Sequence, residues 1–321
     1  MSAKPRLLCM VDLSLAPQAI DILREVADVD VKPADDDVLR ETIGDYDVFW
    51  GHVHTKVDAD LIARADRLKI LATASTGTDH IDKVAAAQRG IEVMSIALDM
   101  SLIERFSGTA ELGWAQLLMV TRKLRRAVAD ASKPVWSIDR LIGDRALSEM
   151  TLGVLGVGRL GRMTCRFGKA FCRRVIACDI KPFAIEGVEP VDFDTLLAES
   201  DAIALHVHMT PENHRLFNDA TLARMKKGAV LINTSRGDLI DEDALLAALE
   251  SGQLGGFGAD VLHDEWRQDM STHPVVMYAR DHDNVVITPH IGGAVAMGIR
   301  EARLHTARKL AEAVARLAPA T

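Results

Sequence analysis

An arginine, a glutamate and a histidine follow apolar, strand-like runs in the second half of the chain. Arg236 comes after Val230–Ile232, in Asn233-Thr234-Ser235-Arg236-Gly237. Asp260 directly follows Gly256–Ala259, with Glu265 five residues further on. His290 comes after Val285–Ile287, in Thr288-Pro289-His290-Ile291-Gly292-Gly293. An arginine fork pairs well with a planar carboxylate. A histidine exchanges a proton near working pH, and a carboxylate beside it favours the imidazolium and fixes the ring. Any one of these residues alone is most often solvated or a packing residue. Ligands of open α/β sheets bind beyond the carboxyl ends of the strands, so three such groups at successive strand ends point to one site.

The sharpest short motif is Gly156-Val157-Gly158-Arg159-Leu160-Gly161, between the apolar run Leu152–Leu155 and a helical stretch to Phe171. Gly156 permits a tight turn, Gly158 lets the backbone approach a pyrophosphate, and Gly161 allows close helix–strand packing. The free amides of the helix N-terminus then face the phosphate charge. A lone G-x-G-x-x-G also occurs in ordinary Gly-rich turns. Here a second strand, Arg173–Cys178, ends at Asp179, 23 residues beyond Gly156, near the distance for a ribose-binding acid. A carboxylate there accepts from both ribose hydroxyls and repels a 2′-phosphate, so NAD is expected over NADP, with Lys181 and Arg159 arguing the other way. The expected cofactor set is Gly156, Gly158, Arg159, Leu160, Gly161 and Asp179, joined at other strand ends by His206, Thr210, Thr234, Ser235, Asp260 and Gly292.

These residues need a scaffold, and the chain is long enough for two domains. It has 321 residues, 48% of them hydrophobic and 26% charged. A formal charge of −8 gives no support to a nucleic-acid or acidic-membrane surface, and 4% aromatics are too few for a base-stacking platform. No apolar stretch is long enough to span a membrane, and the start lacks the features of a signal peptide. Cys9, Cys165, Cys172 and Cys178 match no zinc or redox spacing, so a reducing cytoplasm is the simplest setting.

The first hundred residues read as strands Leu7–Val11, Tyr46–Trp50, Lys69–Thr73 and Glu92–Ile96, with helical runs at Pro17–Val26, Ala59–Ala65 and Ile81–Gln88 and a helix-capping Gly90. Glu104–Arg126 reads as one long helix and 127–149 as a crossing segment. The second block reads as six strands: Leu152–Val157, Val175–Cys178, Ala202–Val207, Ala229–Asn233, Gly256–Ala259 and Val285–Thr288. A helical tail covers Ala294–Leu317. Apolar strands separated by helical segments indicate parallel βα units. The expected fold class is α/β, with two Rossmann-like or flavodoxin-like parallel-sheet domains and a cleft between them.

The chain resembles the D-isomer-specific 2-hydroxyacid dehydrogenase family over essentially its full length. The matching pieces are Thr76-Gly77-Thr78-Asp79-His80-Ile81-Asp82, Gly156–Gly161, Asp179, Leu231–Gly237, Asp260-Val261 with Glu265, and Thr288–Gly293. The resemblance implies domains of 1–98 plus 291–321 for substrate and 99–290 for the dinucleotide. It implies Arg236 as carboxylate anchor, His290 as acid/base and Glu265 as its partner. His54, Ser75, Thr76 and Gly77 would join Arg236 and His290 around a small 2-hydroxy or 2-oxo acid, with NAD as cofactor, closure on substrate and a homodimer as partner state. Two alternatives share these residues: a phosphite or formate oxidiser, and an NAD-sensing, corepressor-like binding protein.

Departures from the family pattern bear on the substrate. Trp266 stands where Pro commonly follows the glutamate in the family, and the phosphite dehydrogenase branch also carries a Trp close to that glutamate. His52-Val53-His54-Thr55-Lys56-Val57 lacks the Arg that phosphoglycerate dehydrogenases carry in the comparable stretch. Ile96–Ser101 lacks the common Asn-x-Pro-Gly-x-Asn pattern, and no appended regulatory domain is expected. A small or moderately sized hydroxy acid is therefore favoured over 3-phosphoglycerate. The pairs His52/His54 and His206/His208 lack a third ligand nearby, so no metal is expected. Cys165 and Cys172 read as buried filler on the helix after the glycine loop.

Overall fold

The computed structural model describes residues 4–134, 136–138, 141–143 and 145–317. Residues 1–3 and 318–321, assigned above to the first domain, and residues 135, 139, 140 and 144 of the crossing segment lie outside that description. The chain divides into two compact units, Met1–Phe106 with Ala294–Thr321 and Ser107–Gly293. Residues 99–106 stay with the first unit because Leu102, Ile103 and Phe106 pack with Ile96 and Ala302. Residues 291–293 stay with the second because the amides of Ile291 and Gly292 bond to Asp260.

The first unit is a five-stranded sheet of β1 (Arg6–Cys9), β2 (Asp28–Val31), β3 (Val48–Gly51), β4 (Ile70–Thr73) and β5 (Glu92–Met94). Every pair is parallel and the order is β2-β1-β3-β4-β5. Side chains alternate across the sheet. Leu7, Cys9, Trp50, Ile70 and Ala72 face the helices Gln18–Arg24 and Ala296–Leu317. Leu8, Phe49 and Leu71 face the helices Asp36–Thr42, Ala59–Arg64 and Lys83–Gln88. Burial on both faces explains why these strands read as continuous apolar runs. Asp35, Asp58 and Asp82 each cap one of those three helices by accepting from its first amides.

The second unit is a seven-stranded parallel sheet of β6 (Thr151–Leu155), β7 (Arg174–Cys178), β8 (Glu189–Pro190), β9 (Ala202–Leu205), β10 (Ala229–Asn233), β11 (Leu254–Ala259) and β12 (Val285–Ile287). Its order is β12-β11-β10-β9-β6-β7-β8, so the strand order reverses between β6 and β9. Helices Gly108–Thr121 and Arg159–Phe171 cover one face through Leu117, Val120 and Cys165. Helices Phe193–Glu199, Glu242–Glu250 and Pro274–Asp281 cover the other through Leu196, Leu245 and Val275.

Three sequence expectations need correction. β2 and β8 were not anticipated, because both are edge strands with mostly exposed side chains and so carry no apolar run. The single helix expected over Glu104–Arg126 is two, Gly108–Thr121 and Leu124–Asp130, with a separate short helix, Met100–Ile103, ahead of it. The first starts only after the non-helical residues 104–107, and Lys123 separates the two by taking a left-handed backbone (φ 50°). Several strands end earlier than expected, so Val207 and Thr288 belong to loops.

Candidate active site

All seven strands of the second unit run parallel, so the loops after β6, β7, β9, β10, β11 and β12 share one edge of the sheet. That edge carries the glycine loop, Asp179, His206, Arg236, Asp260 with Glu265, and His290. The strand order reverses between the glycine loop and His206, where ligands of such sheets bind.

The glycine loop fits a dinucleotide. Gly156 adopts φ +90°, and a Cβ there would lie 2.6 Å from the His206 carbonyl oxygen. A Cβ on Gly161 would lie 1.9 Å from the Gly156 carbonyl oxygen, so the helix sits directly on the turn. At Gly158, by contrast, no atom lies within 4 Å of where a Cβ would stand, leaving open space at the N-terminus of the helix Arg159–Phe171. Asp179 accepts from the Val157 amide at 2.5 Å and the Lys181 amide at 2.8 Å, which aims its carboxylate at the loop. Each oxygen keeps acceptor capacity for a ribose hydroxyl.

His206 bonds through Nε2 to the Thr164 hydroxyl at 2.8 Å, and its Nδ1 is buried without a partner. Burial first, and the Arg159 charge second, push the ring down to about 4, so it is neutral at neutral pH. Thr234 is buried and its hydroxyl has no partner. The Ser235 hydroxyl donates to the Leu205 carbonyl at 2.8 Å, fastening the end of β10 to β9. Thr210 is exposed, and its amide is bonded to the Asn213 side chain.

Arg236 follows Ser235 in extended backbone and its Nη1 donates to the Ser235 carbonyl at 2.6 Å. The Arg236 carbonyl accepts from Asn233 Nδ2, which ties the loop to the end of β10. At Gly237 a Cβ would lie 2.0 Å from the Leu262 carbonyl carbon, so this loop packs backbone to backbone on the loop that carries Glu265. A polar brace joins the same two loops: His263 Nδ1 lies 2.5 Å from Asp238, its amide donates to Glu242, and its carbonyl is 3.0 Å from His273 Nε2. Burial foremost raises the Glu242 carboxyl above the ordinary range.

His290 Nδ1 lies 2.7 Å from Glu265 Oε1. The histidine backbone is left-handed (φ 53°), a conformation uncommon outside glycine. Asp260, 2% exposed, holds it there. Its carbonyl accepts from the His290 amide at 2.9 Å, and its carboxylate accepts from the Thr288 hydroxyl and the Ile291 and Gly292 amides at 2.5–2.9 Å. Gln116, fully buried on the helix Gly108–Thr121, donates to the Thr288 hydroxyl at 2.9 Å. Trp266, 52% exposed, stacks on the His290 ring at 5.5 Å between centroids and 22° between planes.

The structure thus brings Glu265, His290 and Asp260 into direct contact and places Arg236 on the adjoining loop. His54, Ser75, Thr76 and Gly77 lie in the first unit, on the loops after β3 and β4. There His54 stacks on His52 at 4.3 Å, and the Ser75 hydroxyl donates to the Gly77 carbonyl at 2.6 Å. Sequence reasoning missed the anchoring role of Asp260, the Gln116 contact and the Asp238–His263 brace. The spacing of Gly113, Leu117 and Val120 by three and four residues around Gln116 was the available signal for its inward face. Among the described residues no group of His, Cys, Asp or Glu is arranged to hold a metal ion, and no helix is long and apolar enough to cross a membrane.

Comparison with known proteins adds a third line. Residues 114–292 match the NAD binding domain, and residues 8–100 the catalytic domain, of the D-isomer specific 2-hydroxyacid dehydrogenases. A hydroxypyruvate reductase from Thermotoga maritima is 34% identical over 288 residues, covering 89% of this chain and 91% of that protein. A D-3-phosphoglycerate dehydrogenase from Synechocystis is 33% identical over 312 residues, covering 95% of this chain; the chain spans only 53% of that relative's length. A D-lactate dehydrogenase from Aquifex aeolicus, solved with NAD and lactic acid, superposes with a TM-score of 0.82 at 29% identity, over 97% of this chain and 95% of that one.

Proposed function

Because the chain belongs to the D-isomer specific 2-hydroxyacid dehydrogenase family, we propose that it interconverts a small 2-hydroxy acid and its 2-oxo acid with NAD as cofactor. The observation that carries this reading is the His290–Glu265 pair at 2.7 Å, on a loop pinned by Asp260, beside the loop of Arg236 and on the edge that bears the glycine loop. The cofactor supplies the two-electron redox chemistry. Asp179 would hold the adenosine ribose and favour NAD over NADP, and the amides of the glycine loop would meet the pyrophosphate.

The substrate carboxylate is anchored by the Arg236 fork, which fixes C2 and its oxygen. With Nδ1 bonded to Glu265, the proton of the neutral His290 ring resides there, and Nε2 is the atom that exchanges a proton with substrate. As the 2-oxo acid is reduced, negative charge grows on the C2 oxygen and imidazolium Nε2–H donates to it. As the hydroxy acid is oxidised, neutral Nε2 takes the hydroxyl proton and Glu265 stabilises the resulting charge. The proposal includes a homodimer, checked by light scattering.

A panel at fixed NADH tests the reaction, using glyoxylate, pyruvate, hydroxypyruvate, 2-oxobutyrate, phenylpyruvate and 2-oxoisocaproate, with phosphite and formate run against NAD. We expect turnover of at least one 2-oxo acid. It should fall in both substrate capture and turnover with Arg236→Ala, and recover in part with Arg236→Lys, which keeps charge without the fork. Turnover of phosphite or formate alone would reassign the reaction, and no turnover of any compound would favour a binding protein.

A further inference from the structure

The five-stranded sheet of the first unit has its own switch point, where the order reverses between β1 and β3. Open parallel sheets bind ligands at such points, beyond the carboxyl ends of the strands. The C-terminal helix turns a buried stripe toward this sheet, formed by Arg303, Thr306, Ala307, Leu310, Ala313 and Val314 at spacings of three and four. Its apolar members pack against Leu7, Cys9, Val11 and Trp50.

Arg303 begins this stripe and is only 8% exposed. Its Nη1 is buried with no hydrogen-bond partner. The same holds for the Thr306 hydroxyl, one turn further along the helix, and for Trp50 Nε1 on β3. The guanidinium lies within electrostatic range of Cys9, Asp12 and His52, all at or just past the ends of β1 and β3. Asp12 makes no ion pair with it; its exposed carboxylate accepts from the Ser14 amide and hydroxyl, both at 2.9 Å. Burial holds Arg303 below the usual arginine range, opposed by Asp12 and then Cys9. Burial first, then His54 and Arg303, push the neighbouring His52 down to about 4, so that ring is neutral near neutral pH.

Buried polar groups in folded proteins nearly always have a partner, and a buried charge without a counter-charge is strongly unfavourable. A cation, an indole N–H and a hydroxyl of this unit are each buried without an acceptor. We propose that the β1/β3 switch point of the first unit is a subsite for a small oxyanion, a carboxylate or phosphate group, held by Arg303 with Trp50 and Thr306 as further donors. The group is a free anion, and the subsite lies wholly within the first unit.

Inorganic phosphate titrated calorimetrically into the NADH-loaded protein tests the subsite. Arg303→Met should weaken phosphate binding at least about tenfold, the loss expected for one charge-assisted contact, and Arg303→Lys should retain part of it. Without anion, Arg303→Met should melt at a higher temperature than the native protein, because it removes an uncompensated buried charge. Equal phosphate binding by native and Arg303→Met protein, no binding by native protein, or a lower melting temperature for anion-free Arg303→Met would each overturn the proposal.

The phosphate titration needs no turnover, so a protein inactive on every 2-oxo acid would sink the proposed reaction without touching the subsite.

Discussion

The two units share one design, a parallel sheet whose order reverses at an inner strand, yet the groups that hold His290 in the second are paired with one another while Arg303 and its neighbours in the first are not. In the second unit the Asp260 carboxylate meets two amides and a hydroxyl, Gln116 meets Thr288, and Glu265 meets His290. In the first, Arg303, Trp50 and Thr306 present buried donors with nothing to receive them. A paired network fixes geometry, as the histidine proposed above to transfer the proton requires in its uncommon backbone conformation. An unsatisfied set of donors is costly unless a ligand completes it. The contrast separates groups built to position a reacting atom from groups built to receive one.

The largest effect should come from breaking the satisfied side. Asp260→Ala strands the Ile291 and Gly292 amides and the Thr288 hydroxyl, at a cost of about 2–5 kcal/mol to the second unit. Denaturant unfolding reads the stability, and turnover should collapse with it, because His290 loses its hold. A variant of native stability and rate would show that the network is incidental. Restoring an acceptor with Asp260→Asn should recover more of the stability than of the rate.

A smaller effect concerns the acid at the end of β7. Asp179→Ala removes the acceptor facing the glycine loop, so the native preference for NADH over NADPH should narrow, measured as the ratio of kcat/KM values at low cofactor. Equal efficiency with both cofactors in the native protein would remove Asp179 as the discriminating group.

Much of the second unit was legible because its chemistry sits where apolar runs stop. The glycine loop, Arg236, Glu265 and His290 each follow such a run, and parallel strands bring the ends of runs together. Asp260 was assigned to the cofactor from its position, but its anchoring role depends on residues 28 to 32 places later, which no local pattern connects to it. Gln116 reaches across 172 positions. β2 and β8 escaped notice because an edge strand needs no apolar alternation. Arg303 looks like any other arginine in a helix that also carries Arg300, Arg308 and Arg316; only the packed stripe distinguishes it.

The central claim is that His290, held by Glu265 and Asp260, exchanges the proton while Arg236 anchors the acid. Its most direct test is the rate of 2-oxo acid reduction in native, Glu265→Gln and His290→Ala proteins, with NADH binding measured alongside. His290→Ala should lose about 10²–10⁴-fold in turnover with NADH binding nearly intact. Glu265→Gln should lower turnover with NADH binding intact, since the ring loses the charged partner that fixes its orientation and tautomer. Near-native turnover by His290→Ala or by Glu265→Gln would contradict the assignment.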